Sequence, residues 1–143
     1  MTEVRELVFA GIEERLRAID GVVEVEVMPS ADPLGFPALH VFDSGQDPGE
    51  GGPAHQGYDL SPSIEGYVEG SGGVEAFAAL NRLYGDTVRA LVTEPPLNGL
   101  AETVDEGGMR VFVAELASAR RLGFSLDLPI TFFTRRGDPA QPA

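Results

Sequence analysis

The chain of 143 residues contains no Cys, no Trp and no Lys. Without cysteine it has no disulfide framework, no thiolate zinc site, no iron–sulfur cluster and no cysteine nucleophile. Its ten basic residues are all Arg and face 23 Asp and Glu, which gives a formal net charge of -13. Such a shortage of positive charge argues against a chain that coats nucleic acid along its whole surface. The hydrophobic content of 43% is too high for a disordered acidic tail, so we expect one independent core.

Long apolar runs are also missing. No segment approaches the roughly 18 to 20 uninterrupted apolar residues of a membrane span. The first six residues, Met1 to Glu6, lack the cationic and apolar pattern of a signal peptide. We therefore expect a soluble protein that is made, and assembled if it assembles, in the bacterial cytoplasm.

Hydrophobic periodicity predicts two helices and five strands. The helices span residues 3–19 and 74–92, and the second carries an apolar stripe of Phe77, Leu80, Tyr84, Val88 and Leu91. The strands span residues 22–28, 38–42, 58–69, 109–113 and about 121–134. The element order α-β-β-β-α-β-β predicts an α+β fold, a two-layer sandwich of one mainly antiparallel sheet with both helices packed on one face.

Two segments are expected to lie outside the regular structure of a single domain at residues 1–136. Residues 43–57 contain five Gly and two Pro, which predicts a long flexible loop. Residues 137–143 predict a disordered C-terminal tail. Pro129 predicts an edge or a bulge in the last strand.

Catalytic chemistry finds little support in the residue pattern. The two histidines, His40 in a strand and His55 in the glycine-rich segment, are expected to be a sheet-face residue and a solvated loop residue. A metal cluster of these histidines with Asp43, Asp47 and Glu50 would lack a rigid surrounding shell. Gly70-Ser71-Gly72-Gly73 precedes a helix but lacks the Lys-Ser/Thr ending of a phosphate loop. We expect no catalytic residue, no cofactor and no metal.

The charge is unevenly distributed along the chain. Residues 1–109 hold 20 acidic residues and 5 Arg, whereas residues 110–143 hold 3 acidic residues and 5 Arg. Charge asymmetry of this kind orients self-association or docking of a partner. The alternative is that the Arg pairs only terminate strands. The candidate contact residues are Asp47, Glu50, His55, Arg120, Arg121, Arg135 and Arg136.

The order of several segments resembles a known family. The segments are the N-terminal amphipathic helix, Val22–Met28, and Phe36–Phe42 leading into a long polar stretch. They are followed by the helix that closes in Glu94–Ala101 and by the strand Leu122–Thr134 trailing into Arg135–Pro139. Over about residues 3–134 the chain resembles the tail terminator proteins of long-tailed bacteriophages, the minor tail protein U type, which also occur in gene transfer particles.

The resemblance implies a structural protein at the head-proximal end of a phage or phage-like tail. It implies a homohexameric ring that caps the tail tube, stops its polymerisation and offers a surface to the head connector. DNA would pass through the ring without specific binding, which an acidic lumen favours because like charges repel. The family supplies no catalytic residue.

Two other functions are compatible with the sequence. One is a different head–tail connector or neck component. The other is an acidic inhibitor that mimics DNA, which the net charge of -13 suggests and the slightly basic last third opposes. An enzyme is the least supported class, because no nucleophile, base and orienting group converge in the pattern.

Overall fold

The alternation of apolar residues builds a mostly antiparallel sheet, with two amphipathic helices on it. The structure, a computed structural model, describes residues 1–116 and 118–143. The elements are α1 (Val4–Arg17), β1 (Glu24–Val27), β2 (Ala38–Gly51), β3 (His55–Tyr67), α2 (Gly73–Leu91), a short 3₁₀ helix (Pro96–Gly99), β4 (Thr103–Val104), β5 (Met109–Leu116), β6 (Ala119–Asp127), β7 (Ile130–Arg135) and β8 (Asp138–Pro142). This confirms the expected α+β class.

The sheet is open, and its two halves differ in strand order: β6 pairs with the C-terminal half of β3 and β7 pairs with its N-terminal half. One half has the strand order β1-β2-β3-β6-β5, in which β1 is parallel to β2 and the other pairs are antiparallel. In the other half β7 lies beside β3 and pairs on its outer side with β4 and β8. The strand β3 is therefore central along its whole length.

The last predicted strand is one ladder with a break. β6 and β7 pair with β3 in the same register, since Ser63 lies opposite Asp127 and Leu60 lies opposite Ile130. The break falls at Leu128 and Pro129, as expected for a proline that cannot donate to the ladder. Leu128 still donates its N–H to the carbonyl of Pro62 at 3.0 Å, which keeps the two halves aligned.

The expected flexible loop at residues 43–57 is wrong. β2 continues to Gly51 and β3 already starts at His55, so the segment forms the outer end of a long hairpin. Two register shifts, between Asp43 and Gln46 and between Pro48 and Gly51, absorb the residues that do not fit a regular ladder. Arg5 of α1 fastens this hairpin by donating to Asp43 at 2.7 Å and to Gln46 at 3.0 Å.

The expected disordered tail at residues 137–143 is also wrong over most of its length. Gly137, with φ of 82°, forms the turn that lets β8 fold back on β7. The prolines of β8 are tolerated because an edge strand bonds on one side only.

Both helices bury one stripe against the same face of the sheet. The core combines Val8, Ile12 and Leu16 of α1 with Leu80 and Leu91 of α2. In α2 the buried residues are Leu80, Leu83, Thr87 and Leu91. Phe77 was expected in this stripe but is 55% exposed. The buried stripe is rotated from the predicted one, and the N-terminal half of α2 leaves an aromatic ring in solvent.

Glycine allows the sheet to pack closely under an aromatic ring. A methyl group at Gly66 would overlap the ring of Phe124, its neighbour across β3 and β6. Phe124 is fully buried and contacts Tyr84 of α2 edge-on at 5.9 Å between ring centroids. This contact seats α2 over β6.

Candidate interaction surface

Five of the seven candidate contact residues meet at the outer end of the β2–β3 hairpin. His55 lies opposite Arg135 in the β3–β7 ladder, and Arg136 donates its backbone N–H to the carbonyl of Ala54 at 3.0 Å. Asp47 and Glu50 lie on the outer half of β2 and are exposed. His55, Arg135 and Arg136 are exposed as well. The hairpin end thus mixes both signs of charge on a solvent-facing rim.

A groove lies next to the hairpin end. It has a volume of about 420 Å³ and is lined partly by Val4, Leu7, Leu100, Phe133 and Pro142. His55 contacts the Phe133 ring edge-on at 6.4 Å between centroids.

The other two candidates, Arg120 and Arg121, lie at the far end of the sheet. Arg135 lies fifteen positions after Arg120, which corresponds to roughly 50 Å at about 3.3 Å per residue of strand. Arg121 packs over the Phe36 ring at 4.2 Å from its centroid and donates to the carbonyl of Glu69 at 2.8 Å. The seven candidates therefore form two separate regions, and Arg121 is committed to packing while Arg120 is exposed.

His40 has a structural partner. Its Nε2 lies 2.7 Å from Oε2 of Glu24, and its side chain is only 4% exposed. Burial raises the pKa of Glu24, but hydrogen bonds from His40 and from the N–H of Leu34 outweigh it and leave the pKa below its ordinary value of 4.5. His40 is thus more buried than the expected sheet-face residue.

The sheet face opposite the helices carries an aromatic cluster around His40. Tyr67 contacts His40 and Phe112 edge-on, at 6.1 Å and 5.9 Å between ring centroids. Burial and a hydrogen bond to Glu65 raise the pKa of Tyr67 well above its ordinary value, so the phenol stays neutral. Tyr67 is 5% exposed and belongs to the packing of this face.

The sequence analysis did not recognise β5 as an open edge strand with exposed apolar side chains. Val111 and Val113 of β5 are 48% and 42% exposed. Within residues 1–116 and 118–143, β5 pairs with β6 alone, which leaves its outer edge open. The signal was present, because Met109, Val111 and Val113 alternate with Phe112 and Ala114, so β5 is apolar on both faces.

The other end of the strand order, formed by β1 and β2 and called the acidic side below, is rich in acidic residues. Residues 22–51, which contain β1 and β2, carry no Arg or Lys. Their acidic residues are Glu24, Glu26, Asp32, Asp43, Asp47 and Glu50. β5 and β6 together carry Arg110, Arg120 and Arg121 against Glu115 and Asp127. The two sides of one sheet thus differ in charge, whereas both carry exposed apolar residues, since Val23 and Met28 beside β1 are 65% and 57% exposed.

No group of three or more His, Asp or Glu in residues 1–116 and 118–143 is arranged to hold a metal ion. In the same residues, neither helix combines the length and hydropathy needed to cross a membrane.

No family model matches the chain, and no curated protein matches its sequence.

Proposed function

We propose that the protein is a ring-forming structural component of a phage or phage-like particle. In this proposal a homohexameric ring caps the tail tube at its head-proximal end, stops tube growth and joins the tail to the head connector. The order of helices and strands supports the proposal through its resemblance to tail terminator proteins.

The unlike sides of the open sheet carry the proposal. A closed ring of identical subunits requires two different surfaces on each subunit that meet head to tail. The acidic side at β1 and β2 and the faintly basic side at β5 are two such surfaces. The two surfaces lie at opposite ends of the strand order. When the acidic side of one subunit contacts the β5 side of another, each subunit keeps one surface free for the next subunit.

The excess of acidic residues supports a role around DNA without binding it. The ten Arg can balance fewer than half of the 23 acidic residues. A conduit with negative walls repels phosphate and lets DNA pass without being held.

Tube capping tests the proposal directly. The protein is added to tubes growing from the tail tube protein encoded in the same genomic neighbourhood, and tube length is measured by negative-stain imaging. We expect shorter tubes with a ring at one end and a defined increase in particle mass. Unchanged tube growth and unlabelled ends would overturn tail termination, and binding to the isolated head connector alone would favour a neck component.

A further inference from the structure

The outer edge of β5 presents free backbone groups in an apolar setting. Leu122 of β6 donates its N–H to Gly70 and accepts from the N–H of Val68, so its backbone bonds point toward β3. Its cross-strand partner Val113 therefore points its own N–H and C=O outward, and so does Val111 in the same alternation. Exposed backbone groups of this kind are a template for another strand.

An exposed aromatic ring also lies on α2, the helix that packs on the same face of the sheet as Val111. Val111 lies opposite Phe124, against which Tyr84 of α2 packs, so Val111 is on the helix side of the sheet. Phe77 lies two turns before Tyr84 and thus on the same side of α2. Val111 and Val113 of β5 and Phe77 of α2 are thus exposed apolar side chains on the helix side of the sheet.

The acidic side of the sheet has the opposite design. β1 is only four residues long, and the outer half of β2 contains Pro48, Asp47, Glu50 and two register shifts. Short length, proline, charge and bulges limit the strand pairing that this edge can form to a short ladder. Contact between two acidic sides is further opposed by repulsion between like charges.

We infer that the β5 edge of one copy docks on the β1–β2 side of a second copy. Charge selects this occupant, because a β5–β5 pair would bring Arg110 and the exposed Arg120 near their own counterparts. The unlike pair instead sets the exposed Arg120 against a side where the six acidic residues of 22–51 outnumber Arg5 and Arg17, which α1 brings to Asp43 and to the carbonyl of Val25. The inference rests on the proposed ring and names the two surfaces that would form each of its contacts.

Single cysteines test the contact, since the natural chain has none. Val113→Cys is mixed with Glu26→Cys or with a size-tagged Asp47→Cys, and a short bismaleimide is added at the highest soluble concentration. We expect crosslinks between Val113→Cys and the acidic-side variants, at least tenfold above those formed with Val92→Cys, a control of similar exposure at the end of α2. Crosslinking of Val113→Cys to itself, or yields equal to the control, would overturn the inference.

A blocking variant gives an independent readout. Val113→Pro removes an outward N–H without removing a β5–β6 hydrogen bond, so we expect at least tenfold weaker self-association with unchanged far-UV and near-UV circular dichroism. Val113→Lys serves the same purpose if the proline variant fails to fold, and Val92→Lys is the matched control. Unchanged association of a folded blocking variant would overturn the inference.

The two proposals fail separately. Crosslinking at the predicted positions with uncapped tubes would retain the contact and remove the tail function. Capped tubes without crosslinks would retain the function and remove the contact.

Discussion

At the scale of the residue, His40 shows how partners distant in sequence decide what a side chain does. Glu24 lies sixteen positions away and reaches His40 because β1 runs parallel to β2. Residues 29–33 join them and line a small cavity with His40 and Tyr67. Alternation alone placed His40 on a sheet face but carried no information about the segment that covers it.

Glu24→Gln tests the energetic role of this pair. The variant keeps the shape of the side chain and removes its charge, so we expect a loss of about 1 kcal/mol in the free energy of unfolding at pH 7, measured by urea denaturation. Glu24 has a lowered pKa in the folded state. Its contribution is therefore complete above the unfolded value of 4.5 and is lost as the pH falls through the folded value.

The pH series supplies the check on this assignment. The difference between the wild type and Glu24→Gln is expected to close as the pH is lowered from 5 to 3. Glu26→Gln, at an exposed position of the same strand, is the matched control and should change stability by less than about 0.5 kcal/mol. Equal effects of the two substitutions would contradict a specific role for Glu24.

At the scale of the element, the β2–β3 hairpin separates what local pattern can predict from what it cannot. Residues 58–69 alternate and were predicted as a strand. Residues 43–57 have a composition typical of loops, yet β3 begins at His55 because β7 pairs with it from the other side. Pairing with β7 stabilises a strand that the glycine and proline content of the segment disfavours. The local sequence of residues 43–57 carries no information about this pairing.

Hydrogen exchange distinguishes the hairpin from a loop. The amides of residues 56–60 lie between β2 and β7 and are expected to exchange at least about tenfold more slowly than those of the open outer half of β2. Mass spectrometry of peptides over 43–51 and 55–60 measures the difference. Arg5→Ala should speed exchange at 43–51, whereas Arg89→Ala, which breaks an exposed pair with Asp86, should not. Complete exchange of both peptides within seconds would contradict the hairpin and support a flexible loop at residues 43–57.

For the candidate contact residues, too, local pattern predicts some features and strand pairing decides the others. Arg120 and Arg121 were expected to precede the last strand but lie inside β6, whereas Arg135 is the last residue of β7. Their separation into two regions depends on the β6–β7 ladder staying straight past Pro129. The open edge of β5 could be recognised only once the strand order was known, since an edge is a property of the whole sheet.

At the scale of the whole molecule, two electrostatic effects of opposite sign act on assembly. Every subunit carries -13, so distant copies repel, while the unlike sides attract when they approach. For 143 residues the radius of gyration is about 15 Å. At 0.01 M salt the screening length of about 30 Å exceeds this radius, so repulsion between whole molecules dominates. At 0.1 M it falls to about 10 Å, and the local attraction then outweighs the repulsion.

Self-association is therefore expected to pass through a maximum as salt is raised. Sedimentation equilibrium from 0.01 to 1 M sodium chloride should show the association constant rising to about 0.1 M and falling beyond it. Glu26→Gln combined with Asp47→Asn, which weakens the acidic side and reduces net repulsion, should raise association at 0.01 M and lower it above 0.1 M. A constant that only rises with salt in both proteins would mean that net charge alone governs assembly and that the two sides of the sheet do not attract.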